Sequence, residues 1–322
     1  MRVVLVTPAP RHSRAGNRTT AVRWARFLRG LGHRVRVTNG YAGESADLML
    51  ALHAWRSAEA AAHFRDRFPQ RPLVVALTGT DIYRFIDSDP DVTLRSMELA
   101  DALVGLHDLA AEAIPARLRD KVHVIYQSVP PLSSRLPPLK RVFEVLVIGH
   151  LREEKDPLRT ALATRDLPSS SRIRVVHLGR AHDEAWAERA RAEMARNPRY
   201  RWRGEVPGWA VRRALARAPL MVLSSVMEGG ANVVSEALVA GVPVIASDIP
   251  GSVGLLGRNY PGYYPVRDTD ALRAQLLRAE QEPDHLAELQ SRCAARAPLF
   301  EPRREREAWR RLLARVTRRK VG

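Results

Sequence analysis

From the N-terminus to about residue 126, short apolar runs alternate with longer stretches in which apolar positions recur every three or four residues. The runs at 3–6, 35–37, 48–52, 73–77, 102–106 and 122–126 are too short for helices and are bounded by polar or turn-forming residues, which predicts buried strands. Helix-length segments such as 19–31 separate them. Strand and helix in alternation imply a parallel sheet, because parallel neighbours need a crossover long enough to hold a helix. The pattern stops where Pro130, Pro131, Pro137 and Pro138 bracket Ser133-Ser134-Arg135, a composition suited to an extended linker. It then restarts, with strands expected at 142–148, 173–178, 220–224 and 242–246. The expected fold class is α/β: two Rossmann-like doubly wound domains in tandem, with a cleft between them at the carboxyl ends of both sheets. From Asp270 onward the composition is helical, broken at Pro283, Pro298 and Pro302. Its last piece, 305–318, carries Trp309, Leu312, Leu313 and Val316 on one face, so it must cover something.

Composition narrows the class. A chain of 322 residues fits two domains of roughly 150 each, and 45% hydrophobic with 27% charged residues is the make-up of a folded protein. No apolar run approaches the roughly 20 residues of a membrane helix, and the first run is followed at once by Pro8, Pro10 and Arg11, so neither a span nor a signal segment is expected. The single cysteine, Cys293, excludes an internal disulfide and a cysteine-cluster metal site; a reducing, cytoplasmic location fits. The formal charge of +17 comes from arginine, since only Lys121, Lys140, Lys155 and Lys320 are lysines. These arginines are scattered beside acids, as in Glu184, Glu188, Arg189, Arg191 and Glu193, which reads as solvated helix faces. That dispersal favours a small polyanion such as a nucleotide over nucleic acid.

Three loops carry candidate chemistry. After the first strand, residues 7–20 include Gly16, Asn17, Arg18, Thr19 and Thr20 with Arg11 and Arg14, either an anion cradle at a helix N-terminus or an ordinary capping turn; no GxGxxG or GxxxxGK(S/T) pattern accompanies it. After the strand at 142–148, Gly149-His150-Leu151-Arg152-Glu153-Glu154-Lys155 sets cations where a diphosphate would carry charge, or else forms a surface ion-pair cluster. The third loop spans Ser224 to Ala237. There Glu228 and Glu236 flank Gly229-Gly230 and a helix start, so amides from Gly229 to Asn232 can face a phosphate while each carboxylate can accept from sugar hydroxyls.

Taken together, Glu228 to Glu236, the following Gly241-Val-Pro-Val-Ile-Ala-Ser, the 149–155 loop and Thr78-Gly-Thr-Asp81 resemble a GT-B glycosyltransferase of the large retaining family 4 over nearly the whole chain. Within that family, Ser13-Arg14-Ala15-Gly16-Asn17-Arg18-Thr19-Thr20 and Thr78-Gly-Thr-Asp-Ile-Tyr-Arg-Phe85 are similar to the selenosugar synthases of selenoneine biosynthesis, a likeness confined mainly to the first 90 residues. The resemblance implies a hexosyltransferase that joins the sugar of UDP-glucose or UDP-N-acetylglucosamine to selenophosphate, or alternatively a family 4 enzyme with an ordinary sugar, thiol or lipid acceptor, with no metal cofactor, no nucleic acid and no stable membrane insertion. It implies an acceptor-side domain of 1–138, joined by a terminal helix at about 303–322, and a nucleotide-sugar domain of 139–302.

Residue by residue, it implies that Glu228 lies against the donor hexose and Glu236 holds the ribose hydroxyls. Amides of Gly230, Ala231 and Asn232 would contact the distal phosphate, with Gly229 and Val233 also in the donor-binding set, and Arg152 and Lys155 would neutralise the diphosphate leaving group. The segment Arg203-Gly204-Glu205-Val206 matches the one whose backbone reads uracil, so Arg203, Gly204 and Val206 join the nucleotide set. His150 stands where the family commonly has an arginine on the diphosphate, which leaves that role to His150 or to Arg152. Asn17 and Arg18 are suited to a small tetrahedral anion, Gly16 can approach both substrates, and His12, Asp81 and His107 are lesser candidates.

Overall fold

The computed structural model describes residues 1–13 and 16–318. They form two compact units: one of Met1–Ser128 with Glu228–Gly230 and the chain from Glu301, the other of Val129–Met227 with Ala231–Phe300.

The first unit is built on a six-stranded sheet, β1 Arg2–Val6, β2 Arg34–Thr38, β3 Leu48–Leu52, β4 Leu73–Ala76, β5 Ala102–Gly105 and β6 Val122–Val124, ordered β2-β1-β3-β4-β5-β6 with every pair parallel. Strands buried on both faces need continuous apolar runs, and β3 Leu-Met-Leu-Ala-Leu is buried throughout. Side chains alternate between the faces: Val3, Leu5 and Leu50 pack with Trp24 and Leu28, whereas Val4, Val6 and Met49 pack with Phe64 and Met97.

The first helix, Gly16–Gly30, covers the former face together with the helix Pro302–Arg318. Trp24 and Trp309 meet edge to face with ring centroids 4.8 Å apart. Leu312, Leu313 and Val316 complete the buried stripe, each contributing roughly 1.5–3 kcal/mol. Among them lies a carboxylate. Glu305 is 1% exposed and accepts from Trp24 Nε1 at 2.6 Å, the Ser128 amide at 2.7 Å, the Ser128 hydroxyl and Arg23 Nε at 3.3 Å. Four donors replace the water this charge has lost.

The second unit repeats the principle with another strand order. Strands β7 Phe143–Ile148, β8 Ile173–Leu178, β9 Tyr200–Trp202, β10 Leu220–Leu223, β11 Val244–Ser247 and β12 Tyr263–Tyr264 lie as β12-β11-β10-β7-β8-β9, all parallel. The ten strands expected from sequence are present; β9 and β12, three and two residues long at the sheet edges, are additional. The proline-rich stretch has no regular structure and is laid along the helix Gly208–Arg217. Leu136 donates its amide to the Ala216 carbonyl at 2.8 Å, and Arg212 reaches the Pro131 carbonyl at 2.7 Å. Glu193 departs from the expected solvated face: it is 1% exposed and takes Arg165 and the Asn197 amide. No described helix is long and apolar enough to cross a membrane.

Candidate functional site

In an open parallel sheet the loops diverge where strand order reverses, so ligands settle at the carboxyl ends flanking that point. In the second unit the reversal lies between β7 and β10. The loop after β7 runs through Gly149, His150, Leu151 and Arg152 into a 3-10 turn, Glu153–Lys155. Beyond the turn Asp156 enters the left-handed region at φ 40°, and the next helix starts at Arg159. The loop after β10 is tied to it, since Ser224 Oγ donates to the carbonyls of Lys155 at 3.1 Å and Asp156 at 2.9 Å, and the Val226 amide donates to the Glu154 carbonyl at 2.9 Å. A shallow hollow there is lined by Gly149, His150, Lys155, His177, Ser224 and Ser225.

The geometry of this corner fixes a tautomer. His150 Nδ1 accepts the Arg180 amide at 3.1 Å, so in the neutral ring the proton sits on Nε2. Burial, then the neighbouring Arg152 and Arg180, hold the His150 pKa below the usual histidine value, making it a neutral donor rather than a cation. The nearby cations are Lys155, whose Cδ would lie 4.0 Å from a Cβ added at Gly149, and half-exposed Arg152, whose Nε is 3.8 Å from Glu154 Oε2. Gly179, not Gly149, is the position where glycine is compulsory: a Cβ there would stand 1.8 Å from the Gly149 oxygen. Arg203 and Gly204 follow β9 beside this corner, the Gly179 amide donating to the Gly204 carbonyl at 2.8 Å, with Val206 half-buried beyond.

On the same unit, Ala231, Asn232 and Val233 enter the helix Asn232–Val239, whose N-terminus carries no side-chain cap and where the Val234 amide donates to the Ala231 carbonyl at 2.9 Å. Glu236 is half-buried one turn on, about 6 Å along the axis from Asn232. A separate hollow of about 440 Å³ between the helices Arg159–Ala163 and Glu184–Arg196 holds arginines already committed, Arg159 to Asp156 and Arg165 and Arg196 to Glu193. Three of its four arginines are thus engaged by carboxylates, and the fourth, Arg189, lies over the Trp186 ring.

In the first unit the reversal lies between β1 and β3. The first helix begins at Gly16, three residues earlier than the pattern predicts, so Gly16, Asn17, Arg18 and Thr19 form its first turn, where amides lack intrahelical acceptors. Asn17 and Arg18 are half-buried, whereas Thr20 is buried with its hydroxyl taken by Gln127 Nε2 at 2.6 Å and is not a ligand-facing group. Arg14 lies outside the described residues, and His12 is an exposed turn residue.

The Thr78–Asp81 turn is ordered by Asp81, 0% exposed, whose carboxylate accepts amides of Gly79 at 2.7 Å, Ala54 at 3.0 Å, Thr78 at 3.0 Å and Ile82 at 3.2 Å. Asp81 is thus a scaffold for the turn, not a group aimed at an anion. His53 braces the turn from β3 in a left-handed conformation at φ 77°; its Nδ1 accepts the Arg56 amide, so Nε2 donates to Thr80 Oγ1 at 2.9 Å. His107 is buried against Tyr83, with its pKa lowered by burial to about 4.

Glu228, buried, and Gly229 and Gly230 pack on this turn. A Cβ at Gly229 would lie 2.2 Å from the Thr78 carbonyl carbon, one at Gly79 2.6 Å from the Gly229 nitrogen, and one at Gly230 2.5 Å from Leu106 Cβ. Backbone meets backbone at Gly229 and the Leu106 side chain closes on Gly230, which explains the Gly-Gly pair physically. Thr78 Oγ1 is buried with no hydrogen-bond partner among the described residues. Neither Thr78, His53 nor His177 stood in the sequence-based site set; the first was visible only as part of a motif, and the histidines look like ordinary strand-end residues until the neighbouring strands are in place.

Comparison with known proteins agrees with this architecture. The Anabaena protein Alr3699/HepE in complex with UDP superimposes with a TM-score of 0.77 over 98% of this chain and 100% of that one, at 15% identity. Sucrose-phosphate synthase from Thermosynechococcus elongatus gives 0.81 over 98% of each chain at 14% identity. At such identities the likeness is one of fold. A teichuronic acid biosynthesis glycosyltransferase of Bacillus subtilis, TuaC, is 39% identical over 79 residues, which span 24% of this chain and 20% of the relative's length. Residues 134–299, just over half of the chain, match the family model of the glycosyl transferases group 1, and the chain belongs to that family.

Proposed function

We propose that the chain transfers a hexosyl residue from a UDP-sugar to selenophosphate, forming a 1-selenosugar. The observation that carries this reading is the packing of Glu228–Gly230 on the Thr78–Asp81 turn, which sets the carboxylate assigned to the hexose beside the motif that resembles the selenosugar synthases. The complex of Alr3699/HepE with UDP-glucose, on the same fold, supports a UDP-sugar donor.

In this reading the bond from the anomeric carbon to the diphosphate oxygen breaks as selenium bonds to that carbon, and UDP leaves with the electron pair. The His150 Nε2–H, the Lys155 ammonium, the Arg152 guanidinium and the amides at the start of Asn232–Val239 stabilise the charge that develops on the leaving group. Glu236 holds the ribose, and Glu228 holds the hexose. Selenophosphate is already an anionic nucleophile and needs positioning by Asn17, Arg18 and the first-helix amides more than it needs a general base. Water then cleaves the selenium–phosphorus bond of the product, releasing inorganic phosphate.

The test is to incubate purified protein with UDP-glucose or UDP-N-acetylglucosamine and selenophosphate, thiophosphate or phosphate, following UDP release and selenium in the product by mass spectrometry. The expected result is UDP release dependent on selenophosphate and a selenosugar in the product. The match to TuaC favours a second reading, a sugar acceptor. UDP release with an oligosaccharide and none with selenophosphate would establish that reading in place of the first.

A further inference from the structure

We infer that His177 is a positioning residue for the donor site, holding the Gly149 carbonyl so that the Gly149–His150 loop keeps the shape in which it meets the diphosphate. The inference rests on the donor assignment of that loop and adds a residue that no ligand needs to touch.

His177 is the fifth residue of β8 and is 0% exposed. A carbonyl can only accept, so its Nε2, 3.0 Å from the Gly149 oxygen, must carry the proton, and its Nδ1 then accepts from the Tyr200 hydroxyl at 2.9 Å. One ring therefore ties three adjacent strands: its own, the loop after β7 and the head of β9. Burial pushes its pKa down to about 4, so the ring is neutral at pH 7 and the single tautomer persists.

The main chain around it completes the arrangement. The Arg203 amide donates to the His177 carbonyl at 2.9 Å, and the Gly149 amide to the Leu178 carbonyl at 2.9 Å. Two residues on, Gly179 passes so close to the Gly149 oxygen that no side chain fits, and the Arg180 amide orients the His150 ring. Losing the Nε2 proton donor would leave the half-buried Gly149 carbonyl unanswered on the protein side, and the peptide would rotate to find a donor. Rotation of that peptide moves the amide of His150 and its ring together.

The experiment compares His177→Gln, His177→Asn and Tyr200→Phe with the unaltered chain, measuring UDP affinity by calorimetry and Tm in parallel. A glutamine amide nitrogen reaches about where Nε2 sits, whereas an asparagine amide reaches only the Nδ1 position. The expected result is UDP affinity within about threefold for His177→Gln, a loss of about tenfold or more for His177→Asn, and an intermediate loss for Tyr200→Phe. Affinities that follow Tm across the three variants, or that do not change in folded His177→Asn, would overturn the positioning role. If His177→Asn fails to fold, equal affinity in Tyr200→Phe and His177→Gln with the unaltered chain decides against it. Absence of UDP binding by the unaltered chain would overturn the donor reading itself, and this inference with it.

Discussion

In the first unit the loop ends are held by backbone set against backbone, Gly229 on Thr78 and Gly79 on Gly229, and by the Asp81 carboxylate collecting amides. In the second unit side chains reach across to carbonyls, Ser224 to Lys155 and Asp156 and His177 to Gly149, with forced backbone contact at Gly179 beside them. Steric contact of the first kind is all or nothing, because an added methyl group has nowhere to go. Hydrogen bonds of the second kind are graded, each worth about 1 kcal/mol net when made and more when a buried partner is left unpaired. Substitutions in the first unit should therefore break function or folding abruptly, and those in the second should tune it.

Four measurements sharpen or break this contrast. The largest effect is expected for Glu305→Ala, which strands the Trp24 indole, the Ser128 amide and Arg23 around an empty site and should cost roughly 3–5 kcal/mol. Hydrogen exchange resolved by peptide should show the loss within the first unit and leave the second protected; equal loss in both would dissolve the distinction. Next, Gly229→Ala should lower kcat/KM on the order of 100-fold, since the segment bearing Glu228 must shift to admit a Cβ 2.2 Å from Thr78. Activity near that of the unaltered chain would show that the Gly-Gly packing is dispensable.

Glu236→Ala should weaken UDP binding by about 1.5–3 kcal/mol through lost bonds from ribose hydroxyls, whereas Asn17→Ala should spare UDP binding and lower turnover with selenophosphate. Equal loss of UDP affinity in both variants would contradict a division of donor and acceptor roles between Glu236 and Asn17. The fourth measurement is acid sensitivity. His107 in the first unit and His177 in the second have pKa values near 4 against an ordinary 6.5, so the unfolded chain binds more protons between those values and stability falls as pH drops below about 6.5. Roughly 2 kcal/mol should be lost per histidine between pH 7.5 and 5, measurable by urea denaturation at each pH. A stability independent of pH across that window would mean the two rings are not buried neutral.

What the sequence revealed follows from how local each determinant is. Strands such as Val3 to Val6 and Leu48–Leu52 announce themselves because burial on both faces demands an unbroken apolar run. Tyr200–Trp202 and Tyr263–Tyr264 do not, being short edge segments whose pairing depends on the strand beside them. The stripe on the terminal helix was legible from its spacing, but Glu305 was not, because an acid among arginines looks solvated until Trp24 and Ser128 are brought to it. The loop motifs at Gly149, Glu228 and Thr78 stood out by composition. Their supports, His177 and His53, act through bonds to residues far along the chain, and nothing in their own neighbourhood signals that.

The position of Glu305 also bears on the order in which the protein can be finished during synthesis. Ser128 meets its carboxylate partner only when a residue 177 places downstream has been made. One face of the sheet made first is therefore covered last, after the chain of the second unit has been made. Until then the indole of Trp24 and the apolar face around it lie uncovered. The helix beginning at Pro302 is thus the closing stitch that withdraws this surface from water.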